Sequence, residues 1–357
     1  MRAEYRNKVR DPPLTRPLAP SDDFTLTQHQ HDHLLKLDGW RKNVGALVAR
    51  DVVGADSDDA SRSAPSSANS LVVLSWNVWI GHGRLLDLVQ KIRQGDFAEL
   101  GADPELPLVV LVQEAYRHDP ELTAGLARHA GGLRASPAGH SREDIVETAD
   151  ALGMHLRYAP SMRNGATHSD RGNAILSTLP LEAPQAIELP HLLQRRVAVT
   201  ATVRFGERRL TVVSAHLDPR GPVSHRMLGA RGRSLQAQHL IEALVQDTVV
   251  MGADLNIVAG KLEATWKFLR TAGFRMGVPE MAPSWRHTFH GVPQLLIDYV
   301  LVRDRVAMIS RATVHRLDEQ PQDRGKFVFG SDHHPLLARI DFDPAVPTSN
   351  ISQAGTP

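Results

Sequence analysis

Six apolar runs in this sequence each carry, at one end, polar side chains whose chemistry suits catalysis. The polar residues are Asn77, Glu114, His216, Asp254 with Asn256, Asp298, and Asp332 with His333. A polar residue that leaves a buried strand at its end faces either solvent or a crevice at the sheet edge. Any one of them could cap an ordinary loop. Six together predict a shared site on loops that a rigid sheet holds in place.

The side-chain types fit one kind of chemistry. Carboxylate and amide oxygens are hard ligands that suit Mg²⁺ or Mn²⁺ and suit copper poorly. The histidines could act as acid, as base or as donors to a phosphate oxygen near neutral pH. A neighbouring aspartate can orient a histidine ring and favour its charged form. Together these groups predict metal-assisted hydrolysis of a phosphate ester.

Apolar and β-branched runs predict the strands that would position these residues. The predicted strands cover residues 71–76, 108–112, 173–177, 197–205, 210–215, 248–251, 295–302 and 335–342. Apolar residues at helical spacing predict helices over residues 84–94, 143–152, 234–245 and 261–271. The short segment 206–209 between two β-branched runs indicates a hairpin. The resulting succession of strands and helices predicts an α/β (α+β) fold.

Composition excludes several classes of protein. The chain has 357 residues, enough for one large domain with an extension or for two domains. It contains no cysteine, which rules out disulfides, cysteine-ligated zinc and thiol catalysis. The 41 basic and 40 acidic residues nearly cancel, so the overall charge signals neither a nucleic-acid nor a membrane-surface protein. A serine-hydrolase elbow and a nucleotide-binding glycine-lysine loop are both missing from the sequence.

Seven short motifs, taken in order, resemble those of the endonuclease/exonuclease/phosphatase superfamily. They are Trp76-Asn77, Gln113-Glu114, Gly172-Asn173-Ala174-Ile175-Leu176-Ser177, His216-Leu217-Asp218, Gly252-Ala253-Asp254-Leu255-Asn256, Ile297-Asp298-Tyr299 and Ser331-Asp332-His333-His334-Pro335. That superfamily includes deoxyribonuclease-I-type nucleases, repair exonucleases, sphingomyelinases and inositol polyphosphate 5-phosphatases. The resemblance covers about residues 71–342. It implies a four-layer sandwich, with two packed mixed β-sheets flanked by helices.

The resemblance also implies a metal site for Mg²⁺ or Mn²⁺. Glu114 is expected to be the principal ligand, with Asn77 beside it. Asp332 is expected to complete the metal side of the site. His334, which follows the last catalytic histidine, is interpreted as structural.

Catalytic roles follow from the same resemblance. Asp254 is expected to orient or deprotonate the attacking water, and Asn256 to hold a phosphate oxygen. Asp298 and His333 are expected to form a carboxylate–imidazole pair. His216 matches the second histidine of the nuclease-I and sphingomyelinase branches. In-line attack needs one group on the water side and one on the leaving-oxygen side, and the sequence leaves open which group is the base.

The region 191–233 carries nine arginines against two acidic residues. A phosphate-rich substrate such as nucleic acid could use that charge, although a solvated basic face is an equal alternative. Arg195 and Arg196, together with Asn173, are predicted to bind substrate, and the two arginines could equally protect a sheet edge. Two alternatives to a nuclease-like enzyme are a phospholipid or sphingomyelin phosphodiesterase and a non-catalytic binding module on the same fold.

Residues 1–69 differ from the rest and are predicted to form an N-terminal extension. Apolar spacing within 25–49 predicts one or two helices, and the Ser- and Asp-rich stretch 56–70 predicts a flexible linker. Residues 70–342 form the predicted catalytic domain, followed by a disordered polar tail over 343–357. The sequence shows no signal peptide and no apolar window of about 18 residues. We therefore expect a cytoplasmic monomer without a transmembrane segment.

Overall fold

A computed structural model describes residues 18–20, 25–27, 39–53, 69–122, 141–165, 167–192, 194–219, 229–319 and 327–343. The predicted linker and the predicted C-terminal tail lie almost wholly outside these residues. Arg220 and Arg226 of the basic region lie outside them as well. The predicted division of the chain into extension, catalytic domain and tail therefore stays a prediction.

Strands dominate the described part of the chain. In chain order they are β1 (Leu18–Pro20), β2 (Thr25–Thr27), β3 (Val48–Val52), β4 (Ser70–Asn77), β5 (Leu108–His118), β6 (His155–Arg163), β7 (Ser169–Ser177), β8 (Leu181–Glu188), β9 (Val197–Phe205), β10 (Arg208–His216), β11 (Thr248–Asp254), β12 (Asp298–Asp304), β13 (Ile309–Arg316) and β14 (Leu336–Phe342). The helices are α1 (Leu85–Gln94), α2 (Ile145–Leu152), α3 (Ala230–Ala243) and α4 (Ala264–Thr271), with 3₁₀ turns at Ala98–Leu100 and Gly260–Leu262.

These strands form two sheets. The first has eight strands in the order β1-β3-β6-β7-β5-β4-β14-β13, and the second has six in the order β12-β11-β10-β9-β8-β2. Both sheets are mixed, because β4 pairs with β5 and β10 with β11 in parallel while most other pairs are antiparallel. The predicted hairpin is confirmed, since β9 and β10 pair across the turn at Gly206.

Three apolar cores explain why the sheets stack. Alternate residues of β4 point in opposite directions, so Val73 packs between the sheets while Val72 and Leu74 pack against α1 and α2. On the far side, α3 and α4 cover the outer face of the second sheet through a core that includes Leu240 and Trp266. The layers therefore run helix, sheet, sheet, helix. The predicted four-layer α/β sandwich is confirmed.

The N-terminal region differs from the helical prediction. Thr25–Thr27 and Val48–Val52 are strands, so the helix prediction is wrong at those residues, and helical backbone is described only at residues 39–41. Both segments pair with exposed sheet edges, β2 with β8 and β3 with β6. Such pairing depends on tertiary contacts with distant strands, which the spacing of apolar residues in the sequence cannot reveal.

Several predicted boundaries also shift. The second predicted strand continues from residue 112 to His118 through a bulge between Val112 and Ala115. The strand predicted from residue 295 begins only at Asp298, and helix α3 begins at Ala230, earlier than predicted. None of the described helices combines the length and apolar character that a membrane span requires.

Candidate active site

Three predicted catalytic residues lie in one row across neighbouring strands of the second sheet. His216 and Asp254 are the last residues of β10 and β11, and Asp298 is the first residue of β12. The strand register pairs His216 with Asp254 and Asp254 with Asp298. Because β10 and β11 are parallel, their carboxyl ends reach the same edge of the sheet, where functional crevices form.

His333 joins this row from the loop that precedes β14. Its Nδ1 atom lies 2.8 Å from Asp298 Oδ2, and its Nε2 atom lies 4.0 Å from Asp254 Oδ2. The ligating atoms of Asp254, Asp298 and His333 all lie within 4.8 Å of one another, and all three side chains are buried. The structure therefore brings together the predicted carboxylate–imidazole pair and the predicted water-activating carboxylate.

The two sheets meet at Asp254. Asn77, at the end of β4 in the first sheet, donates from Nδ2 to Asp254 Oδ2 at 2.9 Å. The Asn256 backbone N–H donates to Asp254 Oδ1 at 3.0 Å, and His216 Nε2 lies 3.3 Å from Asp254 Oδ2. Asn256 Nδ2 lies 3.1 Å from His216 Nε2. Short polar contacts thus connect four of the predicted site residues, and His333, 4.0 Å from Asp254, links them to Asp298.

Burial and mutual charge perturb two of these groups. Burial, reinforced by the nearby Asp298 carboxylate, raises the pKa of Asp254 to about 7. Burial alone would lower the pKa of His333, but the Asp298, Asp254 and Asp332 carboxylates outweigh it and raise that pKa to about 10. At neutral pH His333 is therefore an imidazolium, and Asp254 exchanges its proton close to neutrality.

Residues that the sequence motifs did not assign a role hold His333 and Asp298 in place. Ser331 Oγ accepts the His333 N–H at 3.1 Å and donates to Asn77 O at 2.7 Å. Trp76 Nε1 donates to His333 O at 2.8 Å. Thr288 Oγ1 accepts the Asp298 N–H at 2.9 Å. Ser331 and Trp76 stand inside motifs, but Thr288 lies in a polar loop where no sequence signal marks it.

Two of the predicted metal ligands contact this centre, Asn77 through Asp254 and Asp332 through His333. Glu114 lies within β5, directly after Gln113, which pairs with Asn77 and whose carbonyl accepts the Val78 N–H at 3.0 Å. It occupies the bulge in β5 with a left-handed φ of 52°, and a bulge re-aims the side chain it carries. Asp332 Oδ1 lies 3.9 Å from His333 Nε2.

The donor set fits a hard divalent cation. Carboxylate and amide oxygens surround the site, and they are the ligands that Mg²⁺ and Mn²⁺ prefer. Asp298 Oδ1 is buried and has no hydrogen-bond partner among the described residues. Burial and the Asp298 carboxylate raise the pKa of Asp254, and a bound cation would offset the negative charge of this buried pair. The particular ligand assignment to Asn77, Glu114 and Asp332 stays a prediction.

Backbone strain concentrates around the same centre. Among the described residues, seven non-glycine residues have a positive φ. Five of them belong to the site or to the loops that border it, namely Trp79, Ile80, Glu114, Asn256 and Phe329. A non-glycine residue in this region of φ costs of order 1–3 kcal/mol and persists where the surrounding structure imposes it, commonly at functional sites.

The predicted substrate-binding residues have structural partners. Arg195 Nε lies 2.6 Å from Glu188 Oε1 and Arg196 Nε lies 3.0 Å from Asp218 Oδ1, and both arginines are buried. Asn173 Nδ2 donates to Val197 O at 2.8 Å. These contacts give each of the three side chains a partner within the protein. The substrate-binding role stays a prediction that the contacts do not favour.

Comparison with known proteins identifies the family and the fold. The family model described as the Endonuclease/Exonuclease/phosphatase family matches residues 74–333. A solved structure described as an endonuclease/exonuclease/phosphatase from Beutenbergia cavernae DSM 12333 is 18% identical, with a TM-score of 0.51 over 77% of this chain and 72% of that chain. The solved structure of SmcL is 14% identical, with a TM-score of 0.50 over 76% of this chain and 99% of that one. At these identities the solved structures show the fold alone. No curated protein matches the sequence.

Proposed function

This chain belongs to the endonuclease/exonuclease/phosphatase family, and from that premise we propose that it hydrolyses a phosphate diester with the aid of a divalent cation. The observation that carries the proposal is the convergence of Asp254, Asp298 and His333 within 4.8 Å at the junction of the two sheets. Burying two carboxylates beside each other costs stability. Groups with strongly perturbed pKa values in such settings are typical of active sites.

His333 is proposed to stabilise negative charge on the phosphate. Its Nδ1 atom donates to Asp298, which fixes the ring and leaves the Nε2 proton available for a phosphoryl oxygen. Because the pKa of His333 is raised to about 10, the ring keeps both protons throughout the neutral range. A fixed, charged donor of this kind is worth more in a buried site than in water.

Asp254 is proposed to accept the proton of the attacking water. A base works best when its pKa lies near the working pH, and burial raises the pKa of Asp254 to about 7. Asn77 and the Asn256 backbone hold the two carboxylate oxygens in place. His216, 3.3 Å from Asp254, is proposed to stabilise charge on the leaving side.

Asn77, Glu114 and Asp332 are proposed to hold Mg²⁺ or Mn²⁺. When bound, the cation would supply Lewis-acid polarisation of a phosphoryl oxygen. The three residues approach from β4, β5 and the loop before β14, so they border the reacting centre from the first sheet.

The test uses the full-length protein and bis-p-nitrophenyl phosphate. Activity is expected to disappear in EDTA and to return with Mg²⁺ or Mn²⁺. Asp254→Ala and His333→Ala should each lower kcat by roughly 10²-fold or more. A control variant, Asp87→Asn, removes an exposed partner of Lys91 and should leave kcat unchanged. Full activity in EDTA, or normal turnover in either site variant, would contradict the proposal.

A substrate panel decides which ester is cleaved. DNA, RNA, sphingomyelin and inositol phosphates would be incubated with the protein under the metal conditions that support turnover, and the products identified. Cleavage of sphingomyelin alone would select the phospholipid alternative. Binding without cleavage of any phosphate ester would select a non-catalytic module.

A further inference from the structure

A second group of histidines lies beside the candidate active site without sharing a side chain with it. One ring nitrogen from each of His287, His290 and His334 lies within 4.8 Å of the other two. The His334 ring meets the other two edge-on, with ring centroids 5.2 Å apart in both pairs. The centroids of His287 and His290 lie 5.8 Å apart. Three converging imidazoles are a donor set that zinc and related transition-metal ions accept.

The hydrogen bonds of His334 fix which of its nitrogens is available. Its Nδ1 atom lies 2.9 Å from Asp318 Oδ1 and 3.2 Å from Leu317 O, and both of these atoms can only accept a proton. The proton therefore belongs on Nδ1, which leaves a lone pair on Nε2. Nε2 faces the cluster, 3.2 Å from His290 Nδ1. A carboxylate that binds the outer nitrogen is the usual partner of a metal-ligating histidine.

His287 supplies a second independent indication. Its Nε2 atom is buried and has no hydrogen-bond partner among the described residues, and such an atom costs free energy unless something pairs with it.

The charge of Arg316 is already paired. Its Nη2 atom donates to Asp318 at 3.0 Å and its Nη1 atom donates to His287 O at 3.0 Å. Arg316 thus braces the backbone of His287 and the carboxylate that orients His334. Both charged residues also line an open pocket with Ser284 and Trp285.

We propose that His287, His290 and His334 bind one transition-metal ion of the zinc class, with Asp318 as the residue that orients His334. The site would fasten the loop around residues 287–290 to the segment that carries Asp332 and His333. The backbone already prepares this connection, because the His290 N–H donates to Asp332 O at 2.7 Å and the His334 N–H donates to Thr288 O at 2.8 Å. The imidazole donors of the proposed zinc site differ from the oxygen donors of the active site, so the two sites would select different metals.

The test measures zinc retention by the full chain, prepared without a histidine tag and stripped with a chelator. Excess Mg²⁺ occupies oxygen-rich sites during the titration. The wild type is expected to retain one equivalent of Zn²⁺ after desalting and to unfold at a higher temperature with Zn²⁺ than without it. Co²⁺ substituted at the same site should give the intense visible absorption of a four-coordinate nitrogen-ligated ion.

His287→Ala is the principal variant, because the Nε2 atom that it removes makes no hydrogen bond among the described residues and its loss should leave the metal-free fold intact. It should weaken zinc binding at least 100-fold. Asp318→Asn should weaken it about 10- to 100-fold, as removal of an orienting partner does. His315→Ala is the matched control, since His315 lines the neighbouring pocket but lies outside the cluster.

Two outcomes would overturn the zinc site. One is a wild-type protein that retains no Zn²⁺, which would leave the histidines as a hydrogen-bonded group only. The other is equal retention by the wild type and His287→Ala. The proposed hydrolase is judged separately, because Asp254→Ala should lower kcat by roughly 10²-fold or more while the protein retains the zinc equivalent.

Discussion

Replacing Asp298 by asparagine tests the charge balance on which the proposed mechanism depends. Asparagine keeps the size of the side chain and an oxygen that can accept from His333 Nδ1, but it removes the negative charge. The pKa of His333 is about 10 against an ordinary value of 6.5. This difference of about 3.5 pKa units corresponds to about 5 kcal/mol in favour of the imidazolium form.

The interaction of the His333 imidazolium with its neighbouring carboxylates stabilises the folded protein only within a defined pH range. The folded pKa of His333 lies above the unfolded pKa, so the stabilisation is fully present below about pH 6.5 and is lost as the pH rises through about 10. Asp298 also raises the pKa of Asp254, and its removal relieves that cost. We therefore expect Asp298→Asn to lower the free energy of unfolding at pH 6 by about 3 kcal/mol, at the lower end of the range for breaking a buried pair.

The assay is urea unfolding of the wild type and Asp298→Asn at pH 6, 8 and 10 in EDTA, since a bound cation would change the protonation of the site. The difference in free energy between the two proteins should shrink steadily and be close to zero, or reversed, at pH 10. Asp87→Asn, whose partner Lys91 lies 3.2 Å away at the surface, should cost less than about 1 kcal/mol at every pH. A loss from Asp298→Asn that is the same at pH 6 and pH 10 would refute the reasoning.

Three further predictions concern structure that supports the site. Removing residues 1–38, which deletes the two three-residue edge strands β1 and β2, should lower the thermal midpoint only slightly. Removing residues 1–68, which also deletes β3 and the Ala46 carbonyl that accepts from Arg117 Nη1, should lower it by several degrees in a melting experiment, and equal midpoints for the two truncations would contradict this. Arg195→Ala should lower the unfolding free energy by about 3 kcal/mol, at the low end for breaking a buried pair, because it removes the buried partner of Glu188 and leaves only Arg41 beside that carboxylate; a raised KM with unchanged stability would instead support the substrate-binding prediction. Gly252→Ala should lower both the thermal midpoint and the kcat for diester turnover, because the added Cβ would meet Ser75 Oγ and lie 2.9 Å from Leu111 Cβ. An unchanged midpoint would contradict this and show that the two sheets can move apart to accept a methyl group.

Much of the fold could be predicted because the central strands carry their own signal. Strand β4 is buried at every position, so it appears in the sequence as a continuous apolar run. Each predicted catalytic residue is visible for a related reason, since a carboxylate or imidazole directly after such a run is conspicuous. The row formed by His216, Asp254 and Asp298 then follows from strand register, which places the ends of adjacent strands together.

The features that could not be predicted depend on contacts between distant segments. The bulge that sets the direction of Glu114 arises from the pairing of β5 with β7, and no local residue type announces it. Arg195 is conspicuous in a basic stretch, but its partner Glu188 lies across the same turn and neutralises it. The strands before residue 53 form because the edges of both sheets are open to pairing, which is a property of the folded core.

The position of the site at the junction of the two sheets explains how the fold holds two buried carboxylates side by side. Asp254 receives its hydrogen bond from Asn77 in the opposite sheet, and the buried Gln113 amide reaches across to Ser214 Oγ and Gly252 O, both at 3.2 Å. Gly252 has no side chain, which lets the two sheets approach closely enough for these contacts. The carboxylates are therefore held together by the packing of the core between the two sheets. Sheet packing offsets the repulsion between Asp254 and Asp298, which lets a carboxylate with a pKa near 7 persist beside an imidazolium.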